Sequence, residues 1–99
     1  MNAINEEQES VVVVPSENIV ADKAERLRVE LLRLVCGSAM KVVIDMGKVN
    51  VIDSMGIGVL ITAYNSLRKS GGSLRLVNAS ADIRRMLSLM RLDKHFEMV

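Results

Sequence analysis

The sequence predicts an α/β fold built on a mostly parallel sheet with right-handed crossovers. Three observations carry that expectation. Short β-branched apolar runs alternate along the chain with longer segments of helical periodicity. Proline, glycine and capping residues punctuate the boundaries between them. The stretch KVVIDMGKVNVIDSMGIGVL, residues 41–60, passes from a buried strand through a turn and a short apolar step into a helix. Its Val42, Val43 and Ile44 read as a strand covered on both faces.

Taken in order, residues 1–10 are polar and acidic and are expected to be partly disordered. Residues 11–14 are four valines stopped by Pro15, which reads as a strand and its end. The first helix is expected to start near Asp22 as its N-cap. Ala24, Leu27, Leu31, Leu34 and Val35 fall at helical spacing, and Gly37 is placed to stop them. Residues 41–46 form the next strand, and Val49, Val51 and Ile52 carry the chain back under the sheet. Asp53 and Ser54 are both good N-caps for a second helix that runs to about Ser70, with Ile57, Ile61, Tyr64 and Leu67 facing inward. Lys69 and the pair Gly71-Gly72 mark its end. Residues 74–77 are a short strand, and residues 78–82 are a cap region. Ile83, Met86, Leu87 and Met90 are the inner stripe of a third helix, and residues 94–99 read as a last strand.

Ninety-nine residues suffice for one domain, expected to span 1–99, with a core of modest size. Hydrophobic residues make up 49% of the chain and aromatic ones only 2%, so aliphatic side chains and the 7 methionines must fill that core. No apolar run approaches the roughly 20 residues that span a bilayer. The N-terminal residues, with no Lys or Arg before Lys23, do not read as a signal peptide. A net charge of +1 and a lone Cys36 point away from nucleic acid and from a disulfide framework, and fit a cytoplasmic protein without membrane insertion.

Catalytic and cofactor chemistry finds little support. One His and one Cys offer no ligand pair at zinc spacing, so no metal site is expected. His95 lies in the C-terminal segment, away from any nucleophile, and reads as structural or solvent-facing; Cys36 reads as buried packing. Gly56 and Gly58 open a helix after a strand, but Ile61 stands where a dinucleotide fingerprint needs its third glycine. A receiver domain needs an acidic pair after its first strand, where this chain has Val14, Pro15 and Ser16. Arg84, Arg85, Arg91 and Lys94 make the third helix and its exit basic, which reads as a solvated face.

Residues 53–58 are the best place to look for a function. Asp53 and Ser54 cap the helix in the plain reading, and the glycines permit close packing of helix on strand. The same free N–H groups and positive helix end also tolerate a phosphate. Met55 offers a flexible, polarisable side chain suited to an apolar contact with a partner; the alternative is that it turns inward and packs.

Together, VVIDMGKVNVIDSMGIGVL, GGSLRLVNAS and IRRMLSLMRLDKHF resemble the STAS domain family, and within it the bacterial anti-sigma factor antagonists. The resemblance covers residues 11–99. Its most specific part is D-S-x-G-[IL]-G at residues 53–58, with R-L-D-K-x-F at residues 91–96 as a second match. It implies a four- or five-stranded mixed sheet with helices mainly on one face, no catalysis and no cofactor. It also implies a protein partner: an anti-sigma factor with a kinase-like ATP-binding fold, whose capture releases a sigma factor and so regulates transcription. That partner phosphorylates a hydroxyl at the helix start and so switches binding off. Carried onto this chain, the partner surface comprises Asp53, Ser54, Met55, Gly56 and Ile57, with Asn18 and Asp22 in the loop beside it. Met55 stands where the family's second hydroxyl would be: either Ser54 serves as the phosphorylation candidate instead, or the chain is not switched in this way. Glu17 and Val20 stand where the family has a glycine and an aspartate, and residues 1–10 match its first strand poorly. A weak homodimer is compatible with this reading. Competing readings are a STAS subunit of a larger assembly, such as a lipid-transport complex or a stress-signalling scaffold, and a sensor of a nucleotide or lipid at the same loop.

Overall fold

The computed structural model describes residues 10–36 and 41–99. Its elements are β1 (Ser10–Val13), α1 (Ala21–Cys36), β2 (Lys41–Asp45), α2 (Ser54–Lys69), β3 (Ser73–Val77), α3 (Ala81–Leu89), a 3-10 turn (Leu92–Lys94) and β4 (Glu97–Met98). The strands lie in chain order and every neighbouring pair is parallel. The α/β expectation therefore holds, with four strands, but no mixed sheet exists among the described residues. Each connection between them runs through a helix, and such a crossover returns the next strand parallel to the last. The reading of residues 1–9, of Gly37 and of the Val35 and Cys36 side chains falls outside what is described.

A sheet in simple sequential order, with crossovers of one hand, carries all its helices on one face. The register shows the result. Val13, Ile44 and Leu76 pair across the sheet and are buried under the helices, as are Val11, Val42 and Leu74. Val12, Val43 and Arg75 pair on the other face, where Val12 and Arg75 are exposed and Val43 half-buried. The expectation of a β2 covered on both faces is corrected accordingly. On that open face Arg75 Nε donates to Glu97 Oε2 at 3.0 Å.

Several inward assignments also change. In α2, Ile57 and Leu67 are buried, but so are Val59, Leu60 and Ala63, while Ile61 and Tyr64 are half-buried. This wide apolar face arises because α2 packs on both the sheet and α1. Met90 is exposed, since it follows the last turn of α3 rather than lying on its stripe. The end of the chain is strand only at Glu97–Met98. Before it, the Leu92 carbonyl accepts from His95 and Phe96 N–H and coils the backbone, which drops the buried Phe96 ring edge-on to Tyr64 at 5.6 Å.

Candidate functional site

At the carboxyl end of the sheet two loops meet: the one between β1 and α1, and the one between β2 and α2. Beyond β2, Val49 and Ile52 are buried and pin the second loop to the core. Ile19 and Ile52 then form an isolated parallel bridge. Ile19 N–H donates to Val51 O at 3.0 Å, and Asp53 N–H donates to Ile19 O at 3.3 Å. Side chains add further ties. Asn18 Oδ1 accepts from Asn50 N–H at 2.8 Å and from Val51 N–H at 3.1 Å.

Asp53 is the centre of the junction. It is the N-cap of α2, with Oδ1 accepting from Gly56 N–H at 2.9 Å. Its Oδ2 accepts from Ala21 N–H at 3.0 Å, 32 residues away in the chain. One carboxylate thus holds the starts of α1 and α2 together. These backbone donors, Gly56 first and Ala21 next, hold the Asp53 carboxyl below its ordinary value. Asp22, expected as the cap of α1, instead lies inside its first turn, where a negative charge suits the helix dipole. The helix opens one residue earlier, at Ala21, which takes a left-handed φ of 49° and turns its N–H toward Asp53.

Gly56 sits where α2 crosses the first loop. A Cβ there would overlap the Ile19 carbonyl oxygen and stand 2.7 Å from Ile52 Cγ2. Gly58 is different: a Cβ there would meet nothing within 4 Å, so packing does not demand its glycine.

The expected site residues separate by exposure. Gly56 and Ile57 are buried and support the surface from below. Asp22 and Ser54 are exposed, while Asn18 and Asp53 are half-buried and engaged in the ties just described. Met55 does not turn inward; it is 54% exposed. Val51, expected to pack under the sheet, is 51% exposed, because its backbone is held by Asn18 and Ile19 while its neighbour Ile52 takes the inward place. No local period places it outside: strict alternation would set Val51 on the same side as the buried Val49. The surface is therefore an apolar pair, Val51 and Met55, flanking Asp53 and Ser54. From Met55 a shallow groove continues between α2 and α1, with Gly58 and Thr62 on one wall and Ala24 and Arg28 on the other.

The side chains of this surface hold backbone groups and present apolar area. His95 lies elsewhere, against the Tyr64 ring at 5.6 Å. Among the described residues no group of three His, Cys, Asp or Glu could hold a metal ion, and no helix is long and apolar enough to cross a membrane.

Comparison with known proteins bears on this geometry. A family model described as STAS domain matches residues 2–99. Over 54 residues the chain is 35% identical to a Thermotoga maritima protein described as an anti-sigma factor antagonist. That match spans 54% of this chain and 48% of the relative, about half the relative's length. A Thermotoga maritima crystal structure of the same description superposes with a TM-score of 0.89 at 23% identity, covering 99% of this chain and 83% of the other. The unphosphorylated anti-sigma factor antagonist SpoIIAA gives 0.76 at 18% identity, covering 93% of this chain and 80% of the other. A STAS domain protein of Planctomyces limnophilus gives 0.80 at 17%, covering 99% and 87%. At these identities the structures attest the shared fold.

Proposed function

The chain belongs to the STAS domain family, and from that premise we propose that it is a regulatory docking module of the anti-sigma factor antagonist kind. It binds a protein partner, an anti-sigma factor with a kinase-like ATP-binding fold, and in doing so releases a sigma factor. The observation that carries this reading is the exposed apolar pair Val51 and Met55 on a loop junction clamped by Asp53 and Asn18. A pre-ordered apolar knob loses little conformational freedom on binding, which favours affinity. Gly56 and Ile57 belong to its foundation; Val51, Ser54 and Met55 form the contact face.

The same geometry bears on control. Met55 carries no hydroxyl, so a phosphate cannot be placed there. Ser54 is exposed in the first turn of α2, where the helix end favours negative charge. Phosphopeptide mapping of protein from its host tests Ser54. Absence of phosphate under all growth conditions removes the Ser54 switch and leaves constitutive binding or control exercised on the partner.

The binding test is Met55→Asp. Aspartate in the first turn of a helix is well tolerated, so the variant should fold as before. A buried carboxylate at the interface should lower affinity by about a hundredfold, measured by calorimetry against the ATPase captured from host lysate. Unchanged affinity would remove the helix-start loop from the interface.

A further inference from the structure

The far end of α3 carries a second surface that the helix-start site does not use. Leu89 is 79% exposed and Met90 beside it 50% exposed. Arg84 and Arg85 are exposed one turn earlier, and Arg91 and Lys94 follow in the turn that leaves the helix. Arg91 takes a left-handed φ of 60°, which bends the chain sharply and leaves Leu89 and Met90 standing at the corner. The ion pairs found among the described residues are Glu25–Arg28 and Arg75–Glu97, so none of these four cations is neutralised there. A hollow opens between α3 and the sheet edge, lined by Arg84, Arg85, Ser88, Asp93 and Met98. Asp93 accepts from the Ser88 hydroxyl at 3.3 Å within it.

A merely solvated basic face accounts for the arginines, but two adjacent large apolar side chains that no described residue covers add an apolar component to it. We propose that this end of α3 is a second docking surface, and that it takes an acidic, aliphatic segment of a protein partner. Charge complementarity selects the occupant. Arginine guanidinium groups pair carboxylates in two-point geometry, while Leu89 and Met90 receive aliphatic side chains. A flat anionic bilayer fits less well, because the hollow is concave.

The surface is also remote from the first. Helices of this fold run antiparallel to the strands, so α2 starts at the carboxyl end of the sheet and α3 finishes at the amino end. Two partners could therefore be held at once, at opposite ends of the molecule.

The test is an NMR titration of the full-length, isotopically labelled chain with a synthetic amphipathic peptide of Glu and Leu. Saturable shifts should cluster on residues 84–98. Leu89→Ser and Arg85→Glu, both at exposed positions, should each weaken binding by about tenfold with the thermal midpoint unchanged. Met55→Asp should leave it intact, so failure here and failure of the helix-start site are read separately. A peptide with Lys in place of Glu should not bind. The proposal is overturned if residues 84–98 show no saturable shift, or if both variants bind as before. It is equally overturned if phosphatidylglycerol vesicles are bound in preference to the peptide.

Discussion

Gly56 and Gly58 stand two residues apart in the first turns of α2, yet the fold needs only one of them. Alanine at Gly56 would drive its methyl group into the Ile19 carbonyl and Ile52, both fixed by the loop junction. Gly56→Ala should therefore cost about 1–3 kcal/mol, seen as a lower urea midpoint. Gly58→Ala meets open space and removes a helix-interior glycine, so it should gain about 0.5–1 kcal/mol. If the partner approaches closely along the α1–α2 groove, that same variant binds more weakly while melting later. Asp53 supplies a third prediction at this scale. Its folded pKa lies below the ordinary value of 3.8, so its contribution to stability is full above that value and is lost as pH falls through the folded one. Asp53→Asn should flatten that part of the acid profile in urea titrations at stepped pH. A profile unchanged from the parent would shift the effect to Asp45, whose carboxyl is lowered chiefly by Gly47 N–H. The sequence offered Asp53 and Ser54 alike as the cap, because a cap is a local affair of three residues, and the structure gives the role to Asp53. Its bond to Ala21 was not legible, since a contact across 32 residues leaves no mark in local spacing.

Among the elements, the strands and helices were legible wherever one period dominated. The stripes of α1 and α3 run along a single contact line, so Ala24, Leu27, Leu31, Ile83 and Leu87 read correctly as buried. The face of α2 was read too narrowly because two neighbours cover it, and a stripe counted for one neighbour omits Val59, Leu60 and Ala63. The start of α1 shifted for another reason: its first N–H is received by Asp53 in the next loop, not by its own Asp22. The last strand, expected over residues 94–99, was read too long because Phe96 and Met98 alternate as a strand would, while the Leu92 carbonyl closes the backbone before them into a turn. Phe96 is the anchor of that turn, buried against Tyr64. Phe96→Ala should cost about 3–5 kcal/mol and release Glu97–Met98 from the edge of β3, visible as faster amide exchange at Val99, whose N–H is held by Leu76 O.

For the molecule as a whole, the decisive feature is that a single aliphatic core joins both ends. The buried residues of the sheet, α1, α2 and α3 form one connected cluster, with Leu60 fully buried within it. Arranging every helix on one face concentrates the apolar contacts in one layer and leaves neither end a core of its own. Leu60→Ala should therefore cost about 2–5 kcal/mol, a large share of the roughly 5–15 kcal/mol that stabilises a domain of this kind. It should also lower the entire fold together. Far-UV circular dichroism follows all three helices, whereas the near-UV signal of the one tyrosine, Tyr64, follows its packing against His95 and Phe96. In urea the two signals should fall on one curve in both parent and variant. Separate midpoints would mean that the Tyr64–Phe96 contact melts apart from the helices. The helix-start junction and the basic end of α3 would then not share one cooperative support, and a partner bound at one end could alter the other only through partial unfolding.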